Sequence, residues 1–152
     1  MALTLEVVQD SLPRAMDRAI DLGYEGPEHA HALQGKLLGQ PLLVRELIRN
    51  LVDNALHYTP SGGTVTVRVI DDPFGQVVVL QVEDSGPGIP AAEREQVFRP
   101  FYRVLGTQVD GSGLGLAIVR QIVDQHHATL GLLDTPGGGL TVRVEWPDGT
   151  PT

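Results

Sequence analysis

Asn50-Leu51-Val52-Asp53-Asn54-Ala55-Leu56-His57-Tyr58 sets three polar side chains at the spacing of one helical stripe. At 100° per residue, Asn50, Asn54 and His57 fall within an arc of roughly 60°, and Leu47, Ile48, Leu51 and Ala55 form the adjoining apolar face. An asparagine amide competes for backbone hydrogen bonds, so two of them one turn apart in a Leu/Val-rich helix call for an external reason. An oxygen-rich ligand or a metal supplies one, and a solvated polar edge is the plain alternative. Outward from this stripe the helix runs from Pro41, a residue suited to a first turn, to His57, and Thr59-Pro-Ser-Gly-Gly63 breaks it.

The 152 residues, 41% of them hydrophobic, suffice for one domain with one core. A formal charge of −8 disfavours a nucleic-acid or anionic-membrane surface, so an anionic ligand needs a local arrangement of donors. The absence of cysteine removes disulfides and thiolate metal sites and fits a reducing compartment. No apolar run approaches the ~20 residues that span a bilayer, so a cytosolic location is expected.

Asp10 to Leu22 reads as a helix, with Pro13 in its first turn and Gly23 past its end. The preceding Leu3-Thr-Leu-Glu-Val-Val8 alternates like a strand, and Ile20–Glu25 with Ala30–Gly35 reads as a hairpin-like pair. Thr64–Ile70 and Gln76–Val82 have the alternation and β-branching of two antiparallel strands around Asp71-Asp-Pro-Phe-Gly75. Ala91–Val97 predicts a short helix, Gly106–Gly113 a loop, Leu114–His126 a longer helix, and Thr129–Leu133 with Leu140–Trp146 two closing strands. The expected class is α+β, one mixed and mostly antiparallel sheet with helices packed on one face.

Two glycine groups carry possible chemistry. Asp84-Ser-Gly86-Pro-Gly88-Ile89 follows a strand, where a carboxylate accepts a hydrogen bond while the glycines admit a ligand to the backbone. Gly111-Ser112-Gly113-Leu114-Gly115-Leu116 opens a helix, where free N–H groups favour an anion. Neither has the spacing of a dinucleotide fold or a P-loop. Between them Phe98-Arg-Pro-Phe101-Tyr-Arg103 concentrates aromatic and basic residues, and Gly137-Gly-Gly139 comes last.

In this order the boxes, from about Leu3 to Trp146, resemble the catalytic and ATP-binding domain of bacterial sensor histidine kinases, in the superfamily that includes gyrase-type ATPases. The resemblance implies a Bergerat α/β sandwich spanning residues 1–152 as a single domain, with the stretch from Val104 to Gly111 as a lid. It implies ATP and Mg²⁺ as cofactors, with Asn54 as the metal ligand and Asn50 positioning the hydrated ion. His57 would face phosphate, Tyr58 would lie against the adenine, and Asp84 would accept from the adenine amino group. Gly86, Gly88 and Ile89 would form the base pocket, Arg103 would meet the γ-phosphate, and Ser112, Gly113, Leu114, Gly115 and Leu116 would cradle the phosphates. Gly139 is followed by Leu140 and only then Thr141, which departs from the family's Gly-Thr ending, so no ligand role is carried over there.

The implied reaction is transfer of the γ-phosphoryl group to a histidine on an adjacent dimerisation domain, with a response regulator reached indirectly and no nucleic acid involved. The parent would be an inner-membrane sensor kinase with this domain in the cytoplasm. No His-Glu-x-x-x-Pro acceptor motif occurs, and His29, His31, His126 and His127 lack that context, so this fragment alone is not expected to autophosphorylate. Two alternatives stand beside it: a stand-alone serine kinase of the anti-sigma-factor type or a related ATPase, and a nucleotide-binding scaffold without transfer activity. The first needs a glutamate as general base where this chain has Asn50, and an amide takes no proton at neutral pH.

Overall fold

The computed structural model describes residues 3–26, 41–72, 77–88, 92, 94 and 115–147. Three helices, α1 (Leu3–Asp17), α2 (Pro41–Tyr58) and α3 (Gly115–Gln125), accompany five strands: β1 (Asp21–Glu25), β2 (Thr64–Asp72), β3 (Val77–Asp84), β4 (Thr129–Asp134) and β5 (Leu140–Pro147). The sheet order is β1-β2-β3-β5-β4. β1 runs parallel to β2, and every other pairing is antiparallel, with Val67 opposite Val82 and Val82 opposite Val142. The α+β class with a mixed, mostly antiparallel sheet is therefore as expected.

Alternation along the strands sends Val65, Val67 and Val69 of β2, Leu80 and Val82 of β3, and Val142, Val144 and Trp146 of β5 into one core. Leu47, Ile48, Leu51, Val52 and Ala55 of α2 meet them, with Val119, Ile122 and Val123 of α3 and Val7, Val8 and Ala15 of α1 completing the cluster. The apolar face read from helical spacing in α2 is thus the buried one. The opposite face is mixed: Ile70 and Val79 pair there, and Arg68 bridges Glu25 at 2.6 Å and Glu83 at 3.0 Å across β1, β2 and β3.

Three sequence readings change. Leu3–Val8 is helix, not strand, and α1 ends at Asp17, five residues before Leu22. Six alternating residues are too few to fix a period, and the helical stripe Val7, Ser11, Ala15 wins because it is buried. Ser11 tolerates this burial by donating from Oγ to the Val7 carbonyl at 2.8 Å. Pro13 accordingly lies inside the helix, where Gln9 and Pro13 are both exposed and solvent can reach the carbonyl that loses its donor.

Gly23 does not end this helix but lies in β1. The terminator is Ala19, at φ 55°, with the Ile20 N–H reaching back to the Ala15 carbonyl at 2.9 Å. Finally, among the described residues β1 pairs with β2, reached across α2. Residues 30–35, the loop 106–113 and, apart from Ala92 and Arg94, the helix expected at 91–97 lie outside the described residues.

Candidate functional site

The polar stripe of α2 lies where helical spacing puts it, beside the core face. Asn50 and Asn54 are half-buried and His57 is exposed. Asn50 donates from Nδ2 to the Glu46 carbonyl at 2.8 Å and to Glu46 Oε1 at 3.3 Å, so its nitrogen is occupied within the helix. Its Oδ1, like the amide of Asn54, has no hydrogen bond to another described residue. Among the described residues no group of three His, Cys, Asp or Glu side chains could hold a metal. What the stripe offers is amide oxygen, the donor that a hard ion such as Mg²⁺ takes alongside water and phosphate oxygens, so the residues fit that ion.

His57 lies at the edge of the stripe nearest α1. Its Nδ1–H donates to the Asp53 carbonyl at 2.8 Å, which leaves Nε2 as the outward ring nitrogen. The ring also lines a cavity of about 210 Å³ with Arg14, Asp17, Arg18, Asp53 and Leu56, between α1 and α2. Arg14 is paired with Asp53, and Arg18 donates to the His57 carbonyl at 3.3 Å, so α1 is tied to the end of α2 that bears the stripe.

The second part of the site is Asp84, the last residue of β3 and one of few buried polar side chains. Its Oδ1 accepts from two main-chain donors, Gly86 N–H at 2.9 Å and Leu140 N–H at 3.1 Å. Burial pushes the carboxyl above the ordinary carboxylate range, and these two hydrogen bonds pull it partly back. Both donors fall on one oxygen, which leaves Oδ2 without a donor among the described residues.

Asp84 and the stripe are held close by backbone packing. A Cβ on Gly86 would lie 2.7 Å from the Tyr58 carbonyl oxygen, so only glycine lets the 84–88 loop seat on the end of α2. Tyr58 itself is half-buried against the core. Ser85 fastens the same loop to the start of β2: its N–H donates to the Thr64 carbonyl at 3.1 Å and its Oγ accepts from the Thr64 N–H at 2.9 Å. Gly88 sits on the other side, where its Cβ position is 3.3 Å from the Gly139 carbonyl oxygen.

Tyr58, Asp84, Gly86 and Gly88 are thus brought together where the end of α2, the loop after β3 and the β4–β5 hairpin meet, with Asn54 and Asn50 about one and two turns earlier along α2. Leu116 differs from its expectation in one respect: its side chain is buried in the core, so only its main chain is available to a phosphate. Ile89, Arg103, Ser112, Gly113 and Leu114 lie outside the described residues, and of Gly115 only the start of α3 is described. Sequence reasoning missed the Leu140 N–H and the packing of Gly139. The Gly137-Gly-Gly139 run was the available signal, but a main-chain donor carries no side-chain signature.

A mixed five-stranded sheet with helices on one face, a carboxylate buried at the end of a central strand and a glycine hairpin behind it make an α/β sandwich. The chain belongs to the family of histidine kinase-, DNA gyrase B-, and HSP90-like ATPases, whose model matches residues 39–150. It is a kinase/ATPase module, an ATP-binding catalytic domain of the two-component sensor type.

Sensor protein kinase PmrB of Pseudomonas aeruginosa is 39% identical over 147 residues, which cover 95% of this chain and 30% of that protein. The signal transduction histidine-protein kinase/phosphatase MprB of a Mycobacterium species is 40% identical over 136 residues, 88% of this chain and 25% of that one. The chain therefore spans less than a third of the length of these curated relatives. Among solved structures, a mycobacterial sensor histidine kinase MprB superposes with a TM-score of 0.76 at 32% identity, covering 94% of both chains. The catalytic domain of histidine kinase ThkA superposes with a TM-score of 0.78 at 27% identity, covering 96% of this chain and 90% of that one. Among the described residues no helix is long and apolar enough to cross a membrane.

Proposed function

We propose that this chain is the single catalytic domain of a longer sensor kinase, binding ATP with Mg²⁺ and donating the γ-phosphoryl group to a histidine on an adjacent dimerisation domain. The observation that carries this reading is Asp84: a buried carboxylate with one oxygen anchored by two main-chain N–H groups and the other without a donor among the described residues, placed to accept from a ligand. An adenine amino group is a donor that suits it, whereas guanine presents a carbonyl at the corresponding position.

In this reading Asn54 holds Mg²⁺ through its amide oxygen and Asn50 steadies the hydrated ion with its own. The ion, when bound, neutralises charge on the phosphates and sharpens the electrophile. His57 offers Nε2 at the phosphate side of the stripe, Tyr58 lies against the base, and Gly86 and Gly88 let the loop approach it. Arg103, Ile89 and the stretch from Ser112 to Leu116 are assigned to γ-phosphate, base and phosphate cradle on the resemblance of their boxes.

Phosphoryl transfer of this kind needs mainly positioning and charge neutralisation, and an acceptor histidine already has a nitrogen lone pair. Transfer to histidine is favoured over hydrolysis because Asn50 puts an amide, which takes no proton at neutral pH, at the place of a general base, and the Glu46 carboxylate stands a full turn farther along α2. The response regulator is then the next acceptor, and the domain works on the cytoplasmic side of a membrane-bound parent.

The test combines the chain with a separately produced dimerisation domain and labelled ATP. Acid-labile phosphohistidine is expected on that domain, and acid-stable phosphoserine would instead favour the stand-alone serine kinase. ATP·Mg binding in the micromolar range should be lost in Asn54→Ala and in Asp84→Ala; unchanged affinity in both variants removes the site assignment.

A further inference from the structure

The turn between β4 and β5 is built in an unusual way for a segment with no assigned ligand role. Gly137, Gly138 and Gly139 have φ of +89°, +117° and +115°, all in the region that L side chains rarely adopt. Two hydrogen bonds close the turn, Thr135 N–H to the Gly139 carbonyl at 3.1 Å and Gly138 N–H to the Thr135 carbonyl at 2.9 Å. The Thr135 and Thr141 hydroxyls pair across its base at 2.9 Å, with Thr141 buried. On its far side Asp134 is paired with Arg94, from the segment that follows the Asp84 loop.

The three glycines are not equivalent. Nothing lies within 4 Å of a Cβ placed on Gly137 or Gly138, so there the turn requires only the backbone angle. A Cβ on Gly139 would stand 1.9 Å from the Asp84 carbonyl oxygen and 3.0 Å from the Ser85 Cα, both backbone atoms. This contact delivers the next residue's N–H to Asp84 Oδ1 at 3.1 Å.

We infer that the β4–β5 hairpin is the positioning element for the Asp84 carboxylate: Gly139 brings it into backbone contact with the end of β3, and the Leu140 N–H holds one carboxylate oxygen so that the other faces the base. Gly139 and Leu140 are thus positioning residues for adenine selectivity, acting through Asp84, and this rests on the proposed role of Asp84. Two fixed donors on one oxygen settle the rotation of the carboxylate before any ligand arrives and also favour its ionised form. Loss of either arrangement should reduce discrimination between an amino group and a carbonyl on the purine more than it reduces binding of the phosphates.

The experiment compares Mg·ATP with Mg·ITP, which differs by a carbonyl in place of the adenine amino group, by calorimetry on the whole chain between pH 5 and 8. The wild-type chain is expected to prefer ATP by roughly tenfold or more, the scale of a hydrogen bond to a charged group. Gly139→Ala should abolish that preference, losing ATP affinity while ITP affinity stays within about twofold, and Gly137→Ala, with the same angle requirement and no contact, should keep it. A second variant guards against misfolding of the first: leucic acid in place of Leu140 converts one amide to an ester, which removes the N–H and adds no side-chain atom while weakening the Gly139 carbonyl as acceptor from Thr135. With one stabilising donor gone the carboxyl protonates at higher pH, so the acid limb of ATP selectivity should move to higher pH, which a merely structural change would not produce.

Retained selectivity in Gly139→Ala, equal loss in Gly137→Ala, or an unmoved acid limb in the ester variant would each overturn the inference. Absence of any preference in the wild-type chain would instead overturn the role of Asp84 itself, and this one with it.

Discussion

Asp84 sets stability against binding within one side chain. Its carboxyl is raised by burial, so between its unfolded and folded pKa the native state binds more protons than the unfolded chain. Stability from this group is therefore greatest below the unfolded value near 3.8 and is lost as pH rises through the folded value. Asparagine at this position keeps an oxygen for the Gly86 and Leu140 donors without the buried charge. Asp84→Asn should raise the thermal unfolding midpoint at pH 7 relative to the wild-type chain, with the gap closing as pH falls, while ATP affinity drops. A lower midpoint for the variant at pH 7 would mean that the carboxylate is held by more than the two N–H groups described. The Asp-x-Gly-x-Gly spacing made this residue a candidate and holds one of its donors, Gly86, but its burial and its second donor, Leu140, came from elements distant in sequence.

At the level of elements, two helix ends share one solution. α1 closes through Ala19 and α3 through His127, both at φ 55°, and in each the following N–H reaches back five residues, from Ile20 to Ala15 and from Ala128 to Val123. Glycine is the usual residue at such a position because a Cβ crowds the left-handed conformation. Ala19→Gly is expected to stabilise the chain by about 0.5–1 kcal/mol, the relief of strain exceeding the entropy gained by the unfolded chain. The same sign is expected for His127→Gly, read in both cases from urea unfolding midpoints at unchanged slope. The sequence reading placed the end of the first helix at Gly23 because glycine is the common signal, and Ala19 carries no such mark.

For the molecule as a whole, the parallel pair β1–β2 joins two segments separated by α2, whereas β2, β3 and β5 form an antiparallel centre. β3 has a neighbour on each side, and Val79, Leu80 and Val82 are buried. Their amides should exchange with solvent only through global unfolding, while those of β1 and β4, the outer strands among the described residues, should exchange through local opening at lower free energy. Native-state hydrogen exchange measures this directly, and earlier exchange of β3 than of β1 would contradict it.

The same division separates what was legible along the chain from what was not. The helix from Pro41, the helix after Gly113, the alternating strands and the ordered boxes could be read directly, because a period of 3.6 or 2 and a glycine spacing are local properties written in consecutive side chains. Three features could not: that Leu3–Val8 joins a helix, that β1 pairs in parallel with β2, and that Leu140 completes the anchoring of Asp84. Each depends on which surfaces meet at long range, and the last depends on a main-chain N–H that nineteen of the twenty residue types would supply equally, so only packing could select it.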